Sequence, residues 1–204
     1  MTRLSHERLP RSERRALILR QARHVFAAKG YASTRVADIV AATDVSQGLL
    51  YTYFDSKETL YADLMSTCYE RVNAGLRYLE GMPLSARDKV VLALTRILTD
   101  FGSDVASRES VRLIAQSSFC PGMPETTRKL LVAEQDKPGA VFTRILNQGR
   151  EDGSVRALPT QELAELLWGT MKALALEKAV WGADFRTPDV QTIVSLFFFR
   201  TTQR

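Results

Sequence analysis

The stretch Thr34-Arg35-Val36-Ala37-Asp38-Ile39-Val40-Ala41-Ala42-Thr43-Asp44-Val45-Ser46-Gln47-Gly48-Leu49-Leu50-Tyr51-Thr52-Tyr53-Phe54-Asp55-Ser56-Lys57 decides how the rest of the chain is read. Val36, Ile39 and Val40 recur at i, i+3 and i+4, which places them on one face of a helix over Arg35–Ala42. Thr34 stands where a hydroxyl would cap that helix. Thr43-Asp44-Val45 makes a tight turn, with Val45 as an apolar plug. Ser46 caps a second helix, Gln47–Phe54, whose Leu50 and Phe54 form a buried seam. Gln47, Gly48, Leu49, Tyr51, Thr52 and Tyr53 then face outward. Helix propensity does not explain such a surface, because glycine, threonine and tyrosine are mediocre helix formers. Two explanations are open. One is an ordinary helix hairpin inside an all-α protein. The other is a helix-turn-helix whose second helix enters a DNA major groove, with Gln47 at base edges and tyrosine hydroxyls at phosphates.

Charge separates the two. The chain of 204 residues carries a formal net charge of +5. Residues 1–35 hold nine basic and two acidic residues, a net +7. Residues 1–60, the segment that contains the two short helices, hold ten basic and six acidic residues, so a net +4 of the +5 lies there, as expected for a polyanion partner at one end of the molecule. Residues 1–11 read as a disordered basic arm, either reaching phosphates or a minor groove or acting only as a nonspecific tail. Ser12 is then expected to cap a first helix with the inward stripe Ile18, Ala22, Val25 and Phe26, ended by Gly30. Arg11, Arg14 and Arg15 sit at the end that would face DNA, and Tyr31 packs back on the core.

With these residues in view, the chain resembles the TetR (tetracycline-repressor) family. Ser46-Gln47-Gly48-Leu49-Leu50-Tyr51-Thr52-Tyr53-Phe54-Asp55-Ser56-Lys57-Glu58-Thr59-Leu60 is similar to that family's recognition-helix signature. Ala22, Phe26, Gly30 and Tyr31, then Thr34, Val36 and Ile39, match its first two helices. The likeness covers roughly residues 12–65. It implies double-stranded DNA as partner and a contact set of Thr34, Arg35, Ser46, Gln47, Gly48, Leu49, Tyr51, Thr52, Tyr53 and Lys57. Lys57, a cation at a helix N-terminus, works against the helix dipole. It is explained if a phosphate lies opposite, the part its counterpart plays in the family. Leu49 departs from the family's threonine or serine and would meet a thymine methyl instead.

The rest reads as helices. A linking helix runs from Lys57 to about Leu79, and Gly81-Met82-Pro83 breaks it. Residues 85–101 and 105–118 are helical, and 125–151 is helical but interrupted at Pro138-Gly139. Gln161–Trp181 and Asp189–Thr201 close the chain. The expected fold is therefore all-α: arm 1–11, helix-turn-helix head 12–56, linking helix 57–81, ligand-binding and dimerisation body 82–204. The last two helices are apolar on several sides, as a folded core or a homodimer would require. The resemblance favours the homodimer, through a four-helix bundle of these helices and their mates.

Within the body, Met65, Tyr69, Phe101, Phe119, Met123, Trp168 and Met171 are candidate lining groups for a small apolar or aromatic effector. The function implied is a ligand-responsive transcriptional regulator, in the first place a repressor, released from a palindromic operator by its effector. An architectural DNA-binding protein without ligand is the alternative. No HExxH, CxxC, glycine-rich phosphate loop or GxSxG is present, so no enzyme, metal site or cofactor is expected. Cys68 and Cys120 read as reduced thiols of a cytoplasmic protein. No apolar leader opens the chain and no run of 18 apolar residues occurs, so neither export nor a membrane span is expected.

Overall fold

One long helix and two short ones close on Phe26. They are α1 (Arg11–Lys29), α2 (Val36–Thr43) and α3 (Gln47–Tyr51). Ile18, Ala22, Val25, Phe26, Ile39, Leu50 and Phe54 form one apolar cluster beneath them, so the stripe expected from periodicity is the buried one. The structure is a computed structural model and describes residues 10–99, 105–117, 120 and 122–199. Most of the expected arm, Phe101, Phe119 and the last residues of the expected final helix therefore lie outside the described residues.

The helix starts and ends follow side-chain chemistry, and three differ from the expectation. α1 begins at Arg11 rather than after a Ser12 cap: the Pro10 carbonyl accepts from Arg14 N–H at 3.0 Å. A proline flank suits a helix start because it has no N–H to leave unpaired. Thr34 does not cap α2, since its hydroxyl donates to the Gly30 carbonyl at 2.6 Å. Asp38 takes over, accepting from Arg35 N–H at 2.8 Å. α3 stops at Tyr51, three residues short of Phe54. The Thr52 hydroxyl donates to the Leu49 carbonyl at 2.7 Å, and Tyr53 N–H tightens onto Leu50 at 3.0 Å. A short hydroxyl side chain competes in this way with the helical ladder. Gly30 does end α1, at φ +75°, where an L side chain would be strained.

α4 (Lys57–Glu80) starts as expected, with Ser56 Oγ accepting from Thr59 N–H at 3.1 Å. Its 24 residues span about 36 Å at 1.5 Å each. Its first half, with Leu60, Leu64, Met65 and Cys68, belongs to the head cluster. Leu76 and Leu79 belong to a second cluster in the body, and Val72 packs against both.

The body is α5 (Ala86–Thr99), α6 (Val105–Ser117), α7 (Glu125–Glu151), α8 (Thr160–Trp181) and α9 (Val190–Val194). Its core joins Val90 and Leu94 to Phe142, Ile145 and Leu146 and to Leu163, Leu167 and Met171. α7 runs unbroken through Pro138, where the sequence predicts an interruption. Buried Leu131 before the proline and Val141 and Phe142 after it anchor both halves, and packing outweighs one lost hydrogen bond. The last helix is a larger correction: α9 ends at Val194 instead of running to Thr201. The chain then turns, and Phe198 makes an antiparallel bridge with Val155. Arg156 N–H donates to the Phe197 carbonyl at 3.0 Å, and Phe199 N–H to that of Ser154 at 2.9 Å. Consecutive phenylalanines suit an extended segment as well as a helix, and this waiting backbone decides the matter.

Gly149 stands where α7 meets that bridge. A Cβ there would lie 2.6 Å from Val155 Cγ2 and 3.0 Å from Ala86 Cβ. Gly149→Ala is expected to cost about 1–3 kcal/mol of stability, read from the urea midpoint; an unchanged midpoint would mean that the bridge segment gives way freely. Among the described residues no helix is long and apolar enough to cross a membrane.

Candidate nucleic-acid interface and effector cavity

The exposed face of α3 is held from below. Leu50 and Phe54 are each 2 % exposed, and Ser46 Oγ accepts from Leu49 N–H at 3.1 Å. Ser46, Gln47, Gly48, Tyr51 and Thr52 are left on the surface, and Arg35 is exposed beside them. Leu49 and Tyr53 are only half outward, since both also pack on the head cluster. Thr34 is not brought to this face at all, being 1 % exposed. A Cβ built on Gly48 would meet nothing within 4 Å, so nothing among the described residues requires a glycine there.

Basic side chains frame this face and brace it. The Arg11 guanidinium donates to the Thr52 carbonyl at 3.2 Å and lies 5.5 Å from the Tyr53 ring centre. Arg15 lies over Phe54 and pairs with Asp63. Lys57 Nζ donates to the carbonyls of Tyr31 at 3.2 Å and Thr34 at 3.1 Å, 4.3 Å from the Tyr31 ring centre. These carbonyls account for a cation at this helix start without a phosphate. An ammonium has three donors, so one remains for a further acceptor. Tyr31 Oη donates to Glu58 Oε1 at 2.9 Å. Burial, then this carboxylate, pushes the Tyr31 phenol up, so it stays a neutral donor. Lys29 pairs with Asp38 at 2.7 Å, and that hydrogen bond leads in holding the Asp38 carboxyl below its usual range.

Head and body meet at α1 and α6. Arg23 Nε donates to Glu109 Oε2 at 3.0 Å, and His24 Nδ1 lies 2.6 Å from Glu109 Oε1. The Arg23 and Glu109 side chains are 14 % and 12 % exposed. Sequence reasoning missed this pair, because 86 residues separate its members.

In the body, α4, α5, α6 and α8 surround a cavity of about 210 Å³. Of the expected lining groups, Trp168 and Met171 line it. Met65 and Tyr69 are buried in the head cluster instead, and Met123 packs against that cluster. The faces of α4 explain the difference: its first half is covered by Leu113 and Ile114 of α6 and Leu131 of α7. Trp168 and Lys172 also line an open cleft of about 740 Å³ between α7 and α8. The Trp168 indole Nε1 is buried without a hydrogen-bond partner among the described residues. Lys172 Nζ lies 5.8 Å from the Trp168 ring centre, and burial pushes its ammonium down. Burial pushes the Cys68 thiol up to about 11, and Cys120 is raised for the same reason, so both are thiols near neutral pH. Among the described residues, no three metal-ligating side chains cluster.

Comparison with known proteins joins this geometry to function. Residues 18–64 match the model of bacterial regulatory proteins of the tetR family. Over 138 residues the chain is 28 % identical to the HTH-type transcriptional activator FasR of Mycolicibacterium smegmatis, covering 68 % of this chain and 61 % of that protein. Over 97 residues it is 28 % identical to IcaR of Staphylococcus aureus, the HTH-type negative transcriptional regulator of the biofilm operon icaADBC, covering 48 % and 50 %. The chain thus spans less than two thirds of the length of either relative. Its fold is similar to that of reduced NemR of E. coli, with a TM-score of 0.77 at 18 % identity, covering 91 % of this chain and 97 % of that one.

Proposed function

We propose, from the premise that this chain belongs to the tetR family of bacterial regulatory proteins, that it is a ligand-responsive transcriptional repressor gripping a palindromic operator as a homodimer. The observation that carries this reading is the bare first turn of α3. Gln47 and Gly48 stand exposed above buried Leu50 and Phe54, at the end of the molecule where basic residues collect. Residues 12–56 grip DNA, 57–81 link, and 82–204 bind effector and partner. The place of work is the cytoplasm, where the operator lies.

The outer face of α8 supports the dimer. Leu166 is 63 % and Val180 58 % exposed, with exposed Gly169 and Ala173 between them on the same side. Leu196, after α9, is also exposed. A second copy would take these side chains out of water and set two α3 helices about 34–36 Å apart, one turn of duplex. α4 supports the response to ligand, since it borders the cavity and carries the head. An effector that fits one placement of α4 better than another shifts the spacing of the heads by that difference in affinity. One observation favours the architectural alternative: the cavity is smaller than the roughly 300–1,000 Å³ usual for ligand sites.

The test is fluorescence anisotropy with the duplex upstream of the chain's own coding region, titrated with salt. Steep loss of affinity with salt is expected; no salt-sensitive retention on any duplex would end this reading. Gln47→Ala is expected to cost about 1–3 kcal/mol of discrimination at one operator position and to leave nonspecific affinity nearly intact. A uniform loss over all sequences would instead give Gln47 a phosphate contact.

A further inference from the structure

Among the described residues, two donors on one side of α8 find no acceptor. The Trp168 side chain is among the buried ones, and its Nε1–H reaches no partner. A buried donor left unmade costs about 1–3 kcal/mol, and folded chains seldom leave one. Lys172 is four residues on, one helical turn away, and half-buried. No carboxylate lies within ion-pair distance of its ammonium among the described residues, although Glu165 lines the same cleft. Both side chains line the cavity as well as the cleft. The cavity wall beyond them includes Val72, Leu76, Leu79, Ile97 and Met171, all apolar. Arg71 and Arg96 also border the space, and both are exposed, whereas Lys172 is half-buried.

We propose that Trp168 and Lys172 are the head-group site for a medium-chain carboxylate whose alkyl chain fills the cavity between α4, α5, α6 and α8. The indole N–H donates to one carboxylate oxygen and the ammonium pairs with the group. At ~30 Å³ for each water-sized unit, the cavity holds roughly seven, which is a chain of about seven or eight carbons. This rests on the effector reading above and gives that effector its chemistry.

The probes are octanoate and octanol, titrated calorimetrically into the full chain. Octanoate is expected to bind at least roughly tenfold more tightly than octanol, as for a charge-assisted hydrogen bond gained on binding. Lys172→Met keeps the apolar stem and is expected to abolish that preference while leaving octanol binding unchanged. Trp168→Phe keeps a ring, removes the N–H and is expected to weaken octanoate alone; it serves also if Lys172→Met fails to fold. With Trp181→Phe, Trp168 becomes the single tryptophan, and its emission should shift with octanoate. Equal affinity for the two probes, or a preference that survives Lys172→Met and Trp168→Phe, overturns the head-group site. If octanol or another neutral apolar compound then still binds and releases operator DNA, the ligand-responsive reading stands without it. No saturable binding of any such compound ends both.

Discussion

Gly48→Ala is expected to raise the thermal midpoint by about 2–4 °C and to lower operator affinity roughly tenfold or more. The two effects have opposite signs because they arise on different sides of one atom. Gly48 is the second residue of α3, has no positive φ, and a Cβ on it would find open space. Alanine is worth up to about 1 kcal/mol over glycine within a helix, so the isolated chain should gain stability. What the glycine provides is then sought outside the described residues. Seated in a major groove, the bare backbone of the first turn comes close to the duplex, and a methyl there holds the helix back. Calorimetry and anisotropy on one preparation read both effects. A falling midpoint would mean that the space is filled in solution. An unchanged affinity would mean that α3 does not approach DNA by this edge.

Glu109→Leu is expected to destabilise the chain by about 3 kcal/mol, a fall of roughly 6–12 °C in the midpoint. Arg23 is mostly buried against that carboxylate, and its loss strands a guanidinium between α1 and α6. The low end of the usual range for a broken buried pair applies, because both side chains keep some contact with water. Arg23→Met combined with Glu109→Leu should recover most of the loss, since two apolar groups leave no charge to solvate. His24→Ala should stay within about 0.5 kcal/mol, its side chain being largely exposed. Urea denaturation of the parent, Arg23→Met, Glu109→Leu and the double variant closes a double-mutant cycle. A near-neutral Glu109→Leu would show that the junction opens in water.

The head was legible because its signals are local. Ile18, Ala22, Val25 and Phe26 repeat at helical spacing, Gly30 supplies the left-handed residue, and Ser46 and Ser56 cap α3 and α4. The end of α3 was not legible, because a helical pattern continues to Phe54 and only the Thr52 hydroxyl turns the chain aside. The end of the chain failed for a longer-range reason. Val190–Phe199 is apolar enough for a helix or a strand, and the backbone of Ser154 and Arg156 some forty residues earlier chooses between them. The cavity was legible only in part. Met65 and Tyr69 share α4 with true cavity neighbours such as Val72 and Leu76, and the sequence does not say where along α4 the covering helices α6 and α7 stop. The Arg23–Glu109 pair left no periodic trace, so no local pattern could have found it.

The cluster under α3 is closed partly by Leu113 and Ile114 of α6 and by Leu131 of α7. Recombination between chains of this fold must respect that seam. A hybrid made by grafting residues 1–56 onto a foreign body would keep the exposed face of α3 yet lose nine buried side chains of this cluster, from Leu60 of α4 to Leu131 of α7, unless the recipient presents the same shapes at those places. Exchange of specificity between such proteins is therefore a matter of matched halves rather than of interchangeable cassettes.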